Sequence, residues 1–105
     1  MLYVLYCEDD PKVSKQIRSE HKEAHLAYLD QHKSLIVLGG AMLDDDGETR
    51  LGSTLILNVK TRAEAEAFSA GEPFRCAGLY ARVRITRMRR AQWRPELAPT
   101  SVEGN

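Results

Sequence analysis

Residues 18–29 read RSEHKEAHLAYL, and this stretch sets the frame for the rest of the chain. It has the pattern of the middle of a helix. At about 100° per residue, Val13, Ile17, Ala24, Ala27 and Tyr28 gather on one side as a core stripe. His21, His25 and His32 run along one flank of that stripe, with Arg18 beside His25. Glu20, Lys22, Glu23 and Asp30 lie mostly away from it. A histidine at the rim of an apolar face is partly desolvated yet open to a ligand, the setting in which an imidazole serves as an acid or base.

Upstream of this helix, Leu2 to Cys7 is rich in β-formers and apolar on both faces, with Leu2, Val4 and Tyr6 on one and Tyr3, Leu5 and Cys7 on the other. Glu8-Asp9-Asp10-Pro11 ends that strand and opens the helix, since carboxylates and an early proline suit a helix N-terminus. The helix runs to about His32. Leu35 to Leu38 is a second apolar run, closed by Gly39-Gly40 and extendable through Ala41-Met42-Leu43. Asp44-Asp45-Asp46-Gly47 signals a hairpin. Gly52-Ser53 is the place for a bulge in the returning strand, which continues from Thr54 to Val59. Thr61 and Glu64 form a capping box for a helix from Arg62 to Ala70, stopped by Gly71. After a short connection, Leu79 to Arg87 alternates Leu79, Ala81, Val83 and Ile85 against Tyr80, Arg82, Arg84 and Thr86.

This order, β-α-β-β-α-β, predicts an α+β, ferredoxin-like domain with two helices on one face of a four-stranded sheet. Residues 1–93 are expected to form that single domain and residues 94–105 a loosely held tail. Two helices cover only one sheet face, yet the first three strands are apolar on both. The open face needs a second layer, and a second copy of the chain supplies one most simply. A homodimer is therefore expected.

The 105 residues carry 15 basic and 15 acidic side chains. Formal neutrality gives no general attraction to nucleic acid or to an anionic membrane. No apolar run is long enough to span a bilayer, and the first ten residues lack the basic and cleavage regions of a signal peptide, so a cytoplasmic location is expected. Cys7 and Cys76 lack metal-type spacing and read as free thiols in a reducing compartment. Arginines cluster between Arg75 and Arg94 without an intervening acid. They lack the interleaved aromatics of an RNA-binding sheet, so a charged surface or interface strand is the preferred reading and nucleic acid an unlikely partner.

Several pieces of the chain together resemble the YCII-related (YciI-like) family. They are the opening YVLYCEDDP, Arg18 with HLAYL (His25 to Leu29), Leu38-Gly39-Gly40 followed by the acidic turn, Gly52-Ser53, and EPFRCAGLY (Glu72 to Tyr80). The resemblance implies a dimeric α+β barrel of ferredoxin-like subunits. It also implies an active site built around a first-helix histidine and a nearby acidic residue, and relatives that act on chlorinated hydroxyhydroquinones. The chain departs from the family pattern where Glu72 replaces an aspartate and Lys22 replaces an arginine. The carboxylate and the charge survive, but the planar guanidinium fork is lost at Lys22.

Taken with this resemblance, His25 and Glu72 are the expected catalytic pair. A carboxylate bound to one ring nitrogen fixes the tautomer and frees the other nitrogen to take or give a proton. Arg18, Lys22 and Tyr28 are the expected substrate contacts, with Arg18 suited to an anionic oxygen. Asp44, Asp45 or Asp46 is an alternative partner for His25, although a solvated hairpin tip is the simpler role for that run. His21 and His25, one turn apart, have a spacing that can hold a metal, but two ligands make a weak site, and no metal is expected. The predicted activity is acid/base chemistry on a cyclic or phenolic small molecule, of the lyase, isomerase or dehydrochlorinase kind, without a cofactor. The alternative is a non-catalytic dimeric module binding a small ligand or a protein.

Overall fold

In a computed structural model of the chain, the described residues are 1–97 and 100–104. They form, in order, β1 (Leu2–Asp9), α1 (Ser14–Gln31), β2 (Ile36–Leu43), β3 (Arg50–Asn58), α2 (Arg62–Gly71), α3 (Pro73–Cys76) and β4 (Tyr80–Met88). Short 3₁₀ turns span Lys33–Leu35 and Pro95–Leu97. The sheet is antiparallel throughout, in the order β2-β3-β1-β4. This is the ferredoxin-like α+β arrangement, with α3 as a short extra helix in the segment expected to be a plain connection. Of the expected loose tail, residues 98, 99 and 105 lie outside the described residues.

The period of two along β1 decides which side of the sheet carries the core. Tyr3, Leu5 and Cys7 face the helices and pair across the strand boundary with Leu57, Leu55 and Ser53. Tyr3, Leu5, Leu57, Val59, Ala65 and Phe68 make the buried cluster. Thr61 caps α2 through the Glu64 amide at 3.2 Å. The Glu64 carboxylate reaches back to the Lys60 amide at 2.9 Å, one residue before the usual position in a capping box.

Three local departures from the expected pattern matter for the site. First, β1 runs two residues past Cys7, so Asp9 continues the inward-facing series. Asp10 alone serves the turn into α1, accepting from the Lys12 amide at 2.9 Å. Second, α1 is rotated from its predicted stripe. Ala24 and Ala27 are exposed, and Ser14, Ile17, Arg18, His21, His25 and Tyr28 form the side turned inward. Third, the ladder between β1 and β4 is irregular at its end. Glu8 pairs with Arg82 but Asp9 pairs with Tyr80, which leaves Ala81 as an extra residue. Tyr80 is thereby moved to the helix side of the sheet, away from the face it was expected to share with Arg82 and Arg84.

Gly52 is regular against β1, opposite Glu8, and the irregularity expected there falls instead on the β2 side, between Met42 and Leu43. Its importance is close approach. A Cβ at this position would lie 2.0 Å from the Cys7 carbonyl oxygen and 2.8 Å from the Met42 methyl carbon. Because the first obstacle is backbone, neighbouring side chains cannot relieve it. Gly52→Ala is expected to lower unfolding free energy by about 1–3 kcal/mol, the usual cost of overpacking, measured by urea denaturation against the parent chain.

Candidate functional site

Two buried carboxylates, one on the sheet and one at the start of α3, anchor the inner side of α1. Asp9, at the end of β1, accepts from Arg18 Nε at 2.7 Å and from Arg18 Nη2 at 3.0 Å. It also accepts from Ser14 Oγ at 2.7 Å. This bidentate arrangement holds the guanidinium plane fixed. Arg18 Nη2 continues to the Gly52 carbonyl at 3.1 Å and to Ser53 Oγ at 3.2 Å.

The second carboxylate is Glu72. It is the N-cap of α3, accepting from the Arg75 amide at 3.2 Å through Oε2, with Pro73 next in the chain as a natural first helical residue. Its other oxygen, Oε1, is hydrogen-bonded to His25 Nδ1. The His25 ring is stacked on Phe74, with centroids 3.9 Å apart and planes 14° apart. One ring nitrogen is therefore tied and one ring face covered. No described residue bonds the other nitrogen, Nε2, and the ring lines a cavity of about 1150 Å³. Arg18, Lys22, Ser53, Phe74 and Tyr80 line the same cavity, with the backbone of Gly39 and Gly40 on its β2 side.

The structure thus brings His25, Glu72, Arg18 and Lys22 to one place. Tyr28 is not brought there. Its hydroxyl donates to the Phe68 carbonyl at 2.7 Å, and its ring packs on His32 and Phe68, beside a separate, smaller cavity of about 660 Å³. The sequence places Tyr28 correctly on a buried side of α1, but that side is wide enough to serve two different neighbours. None of the hairpin aspartates lines the cavity, and Asp44 accepts from the Asp45 amide at 2.7 Å. Asp46 accepts from the Glu48 and Thr49 amides and from the Thr49 hydroxyl. These bonds, the Thr49 hydroxyl first, hold its carboxyl below the ordinary range.

Sequence reasoning does not single out Asp9, Ser53 or Tyr80 as site residues. Asp9 carries a readable signal, a carboxylate on the same parity as Tyr3, Leu5 and Cys7. Ser53 shares that parity by pairing with Cys7. Tyr80 has none, since the bulge that turns it inward reverses the alternation.

The chain belongs to the YCII-related domain family, whose model matches residues 1–89. No curated protein matches the chain. Among solved structures it is similar to 5-chloro-2-hydroxyhydroquinone dehydrochlorinase from Burkholderia phenoliruptrix AC1100, determined in complex with 2,5-dihydroxybenzoquinone. The identity is 34%, the match covers 87% of this chain and 96% of that one, and the TM-score is 0.78. Among the described residues, no helix is long and apolar enough to cross a membrane.

Cys7 lies behind this site and is buried, whereas Cys76 is exposed. Burial pushes the Cys7 thiol up to about 12, helped by the Glu72 and Asp9 charges and opposed by Arg75. A raised thiol pKa leaves less of the reactive thiolate at any given pH. A thiol reagent at mildly alkaline pH is expected to modify Cys76 alone in the folded chain and both cysteines after denaturation. Mass spectrometry of the alkylated chain reads the count, and rapid double labelling of the folded chain would contradict this assignment.

Proposed function

We propose that the chain is a small-molecule enzyme in which His25 Nε2 is the general acid/base. The observation that carries this reading is the His25 ring at a cavity wall with Nδ1 bound to a buried carboxylate. A neutral imidazole with its proton on Nδ1 presents the Nε2 lone pair to whatever occupies the cavity. Phe74 restrains the ring from one side, so the base meets the substrate in a fixed orientation. A buried carboxylate behind the histidine is the arrangement that orients an acid/base imidazole.

The likeness to a dehydrochlorinase of a chlorinated hydroxyhydroquinone supports a phenolic or cyclic substrate. In the elimination this site suits, the chlorinated phenol reacts as its keto tautomer, protonated at the chlorine-bearing carbon, and Nε2 takes the proton of a ring hydroxyl. The freed oxygen pair closes a carbonyl, the adjacent ring double bond shifts toward the chlorine-bearing carbon, and chloride departs with the C–Cl bonding pair to leave a hydroxybenzoquinone. The Arg18 guanidinium, held by Asp9, faces the oxygen on which negative charge develops. Lys22, at the rim, adds a mobile positive charge. None of these steps calls on a cofactor.

The reading is tested with 5-chloro-2-hydroxyhydroquinone under anaerobic conditions, following chloride release. The parent chain is expected to release chloride. His25→Ala is expected to lower the rate by at least about a hundredfold, the lower end for a lost general acid/base, with the fold retained by circular dichroism and a lower melting temperature, because the buried Glu72 loses its partner. An unaltered rate in that variant would overturn the role of His25.

We also infer that a second copy of the chain covers the open face of the sheet. Val4, Tyr6, Leu38 and Ile56 share that face by register, and Leu38 is 61% and Tyr6 37% exposed. Arg82 and Arg84 stand beside them, opposite Glu8 and Tyr6, as a polar rim around an apolar centre. A self-complementary patch of this kind suits a two-fold interface. Sedimentation at micromolar concentration should give a dimer, and Ile56→Asp should give a monomer. A parent chain that sediments as a monomer would sink the inference.

A further inference from the structure

The polar groups on the floor of the His25 cavity do not balance. Ser53 Oγ accepts from Arg18 Nη2 at 3.2 Å and from the Tyr80 hydroxyl at 3.4 Å. A serine hydroxyl has two acceptor positions and one proton. Both acceptor positions are filled, and no described residue accepts its proton. The Tyr80 contact is long beside the usual separation of about 2.7–2.8 Å between hydroxyl oxygens, so that proton is only loosely committed. Arg18 uses Nε and Nη2 on Asp9, the Gly52 carbonyl and Ser53, while Nη1 has no hydrogen-bond partner among the described residues. Both Asp9 oxygens are engaged, by Ser14 and Arg18. The Ser53 hydroxyl proton and Arg18 Nη1 thus have no acceptor among the described residues, and the Tyr80 hydroxyl has only a long one.

The geometry points to Ser53 and Tyr80, with Arg18 behind them, as an oxyanion site that binds an ionised oxygen substituent of a ring substrate. This deepens the proposed function and rests on it, because the ring's other end must then lie at His25. The two centres share a floor. The Arg18 guanidinium carbon is 5.3 Å from the Phe74 ring centroid, and the His25 ring is stacked on the same Phe74. One six-membered ring with its substituents can reach both. Tyr80 is there through the extra residue at Ala81, and bulges commonly re-aim a side chain in this way beside active sites. Burial holds the Tyr80 phenol protonated well above its ordinary range, outweighing the Ser53 hydrogen bond that works the other way. It is therefore a neutral donor at neutral pH. Hydrogen bonds to a charged acceptor are the strong kind, which favours phenolate and enolate oxygens over neutral carbonyls.

The test uses 2,5-dihydroxybenzoquinone, a coloured acidic ring, titrated by visible absorbance into the parent chain, Tyr80→Phe, Ser53→Ala and His25→Ala. Tyr80→Phe is expected to weaken binding about tenfold or more, the worth of a hydrogen bond to a charged oxygen, and Ser53→Ala to weaken it in the same direction. The ionisation of the bound quinone is expected to move to higher pH in Tyr80→Phe, because a lost donor destabilises the anion. A merely structural tyrosine would not move that titration. Ser53→Ala keeps the test decisive if Tyr80→Phe fails to fold. Parental affinity in both variants would overturn the oxyanion site while leaving the His25 base reading intact. Loss of binding only in His25→Ala would do the same. No binding by the parent chain would overturn the oxyanion site together with the ring-substrate reading, whereas chloride release tests His25 separately.

Discussion

The bidentate contact between Asp9 and Arg18 is the interaction on which the site depends. The inner side of α1 is a mixed surface in which Ser14, Arg18 and His25 occupy places that aliphatic residues usually fill. A helix with such a side cannot be seated by apolar burial alone. It is seated by a carboxylate at the end of a central strand that grips two turns of the helix at once. Buried ion pairs of this type add little stability compared with well-packed apolar residues. What they add here is placement, since the planar guanidinium accepts only a narrow range of approach.

Glu72 repeats the device from the other direction. One oxygen closes the first turn of α3 and the other holds His25. The orientation of the imidazole is thus tied to the integrity of a four-residue helix. That helix also carries Phe74, which stacks on the same ring. A chain segment with the look of a connector is therefore the support for the histidine from behind and from one face. Glu72 thus makes both contacts at once, one with each carboxylate oxygen.

The element order and the partnership of His25 with Glu72 are legible in the amino-acid sequence. Strand and helix periodicities are strong local signals, and the histidine–glutamate pair comes through family resemblance. The orientation of α1 is not legible. Ala24 and Ala27 read as core because they are apolar, but the helix turns toward whatever anchors it, and those anchors lie at residues 9 and 72. Such distant partners leave no trace in the period of the helix itself. Asp9 is legible in part, through its parity in β1, and is obscured by the acidic run around it. Tyr80 is hidden altogether, because one additional residue in a strand inverts everything before it.

That last point bears on how the cavity is encoded. The side of the sheet on which the Tyr80 ring lies depends on how many of the residues between it and Val83 are taken into the ladder: with both paired it would face away from the helices, and with Ala81 left out it faces them. Exchanging Ala81 for another amino acid leaves that count untouched. Deleting it would make the ladder regular with Tyr80 next to Arg82, and plain alternation would then keep the phenol on the helix side, opposite Asp9. The pairing irregularity at this one position thus decides whether Tyr80 lines the cavity, without altering the identity of any residue there.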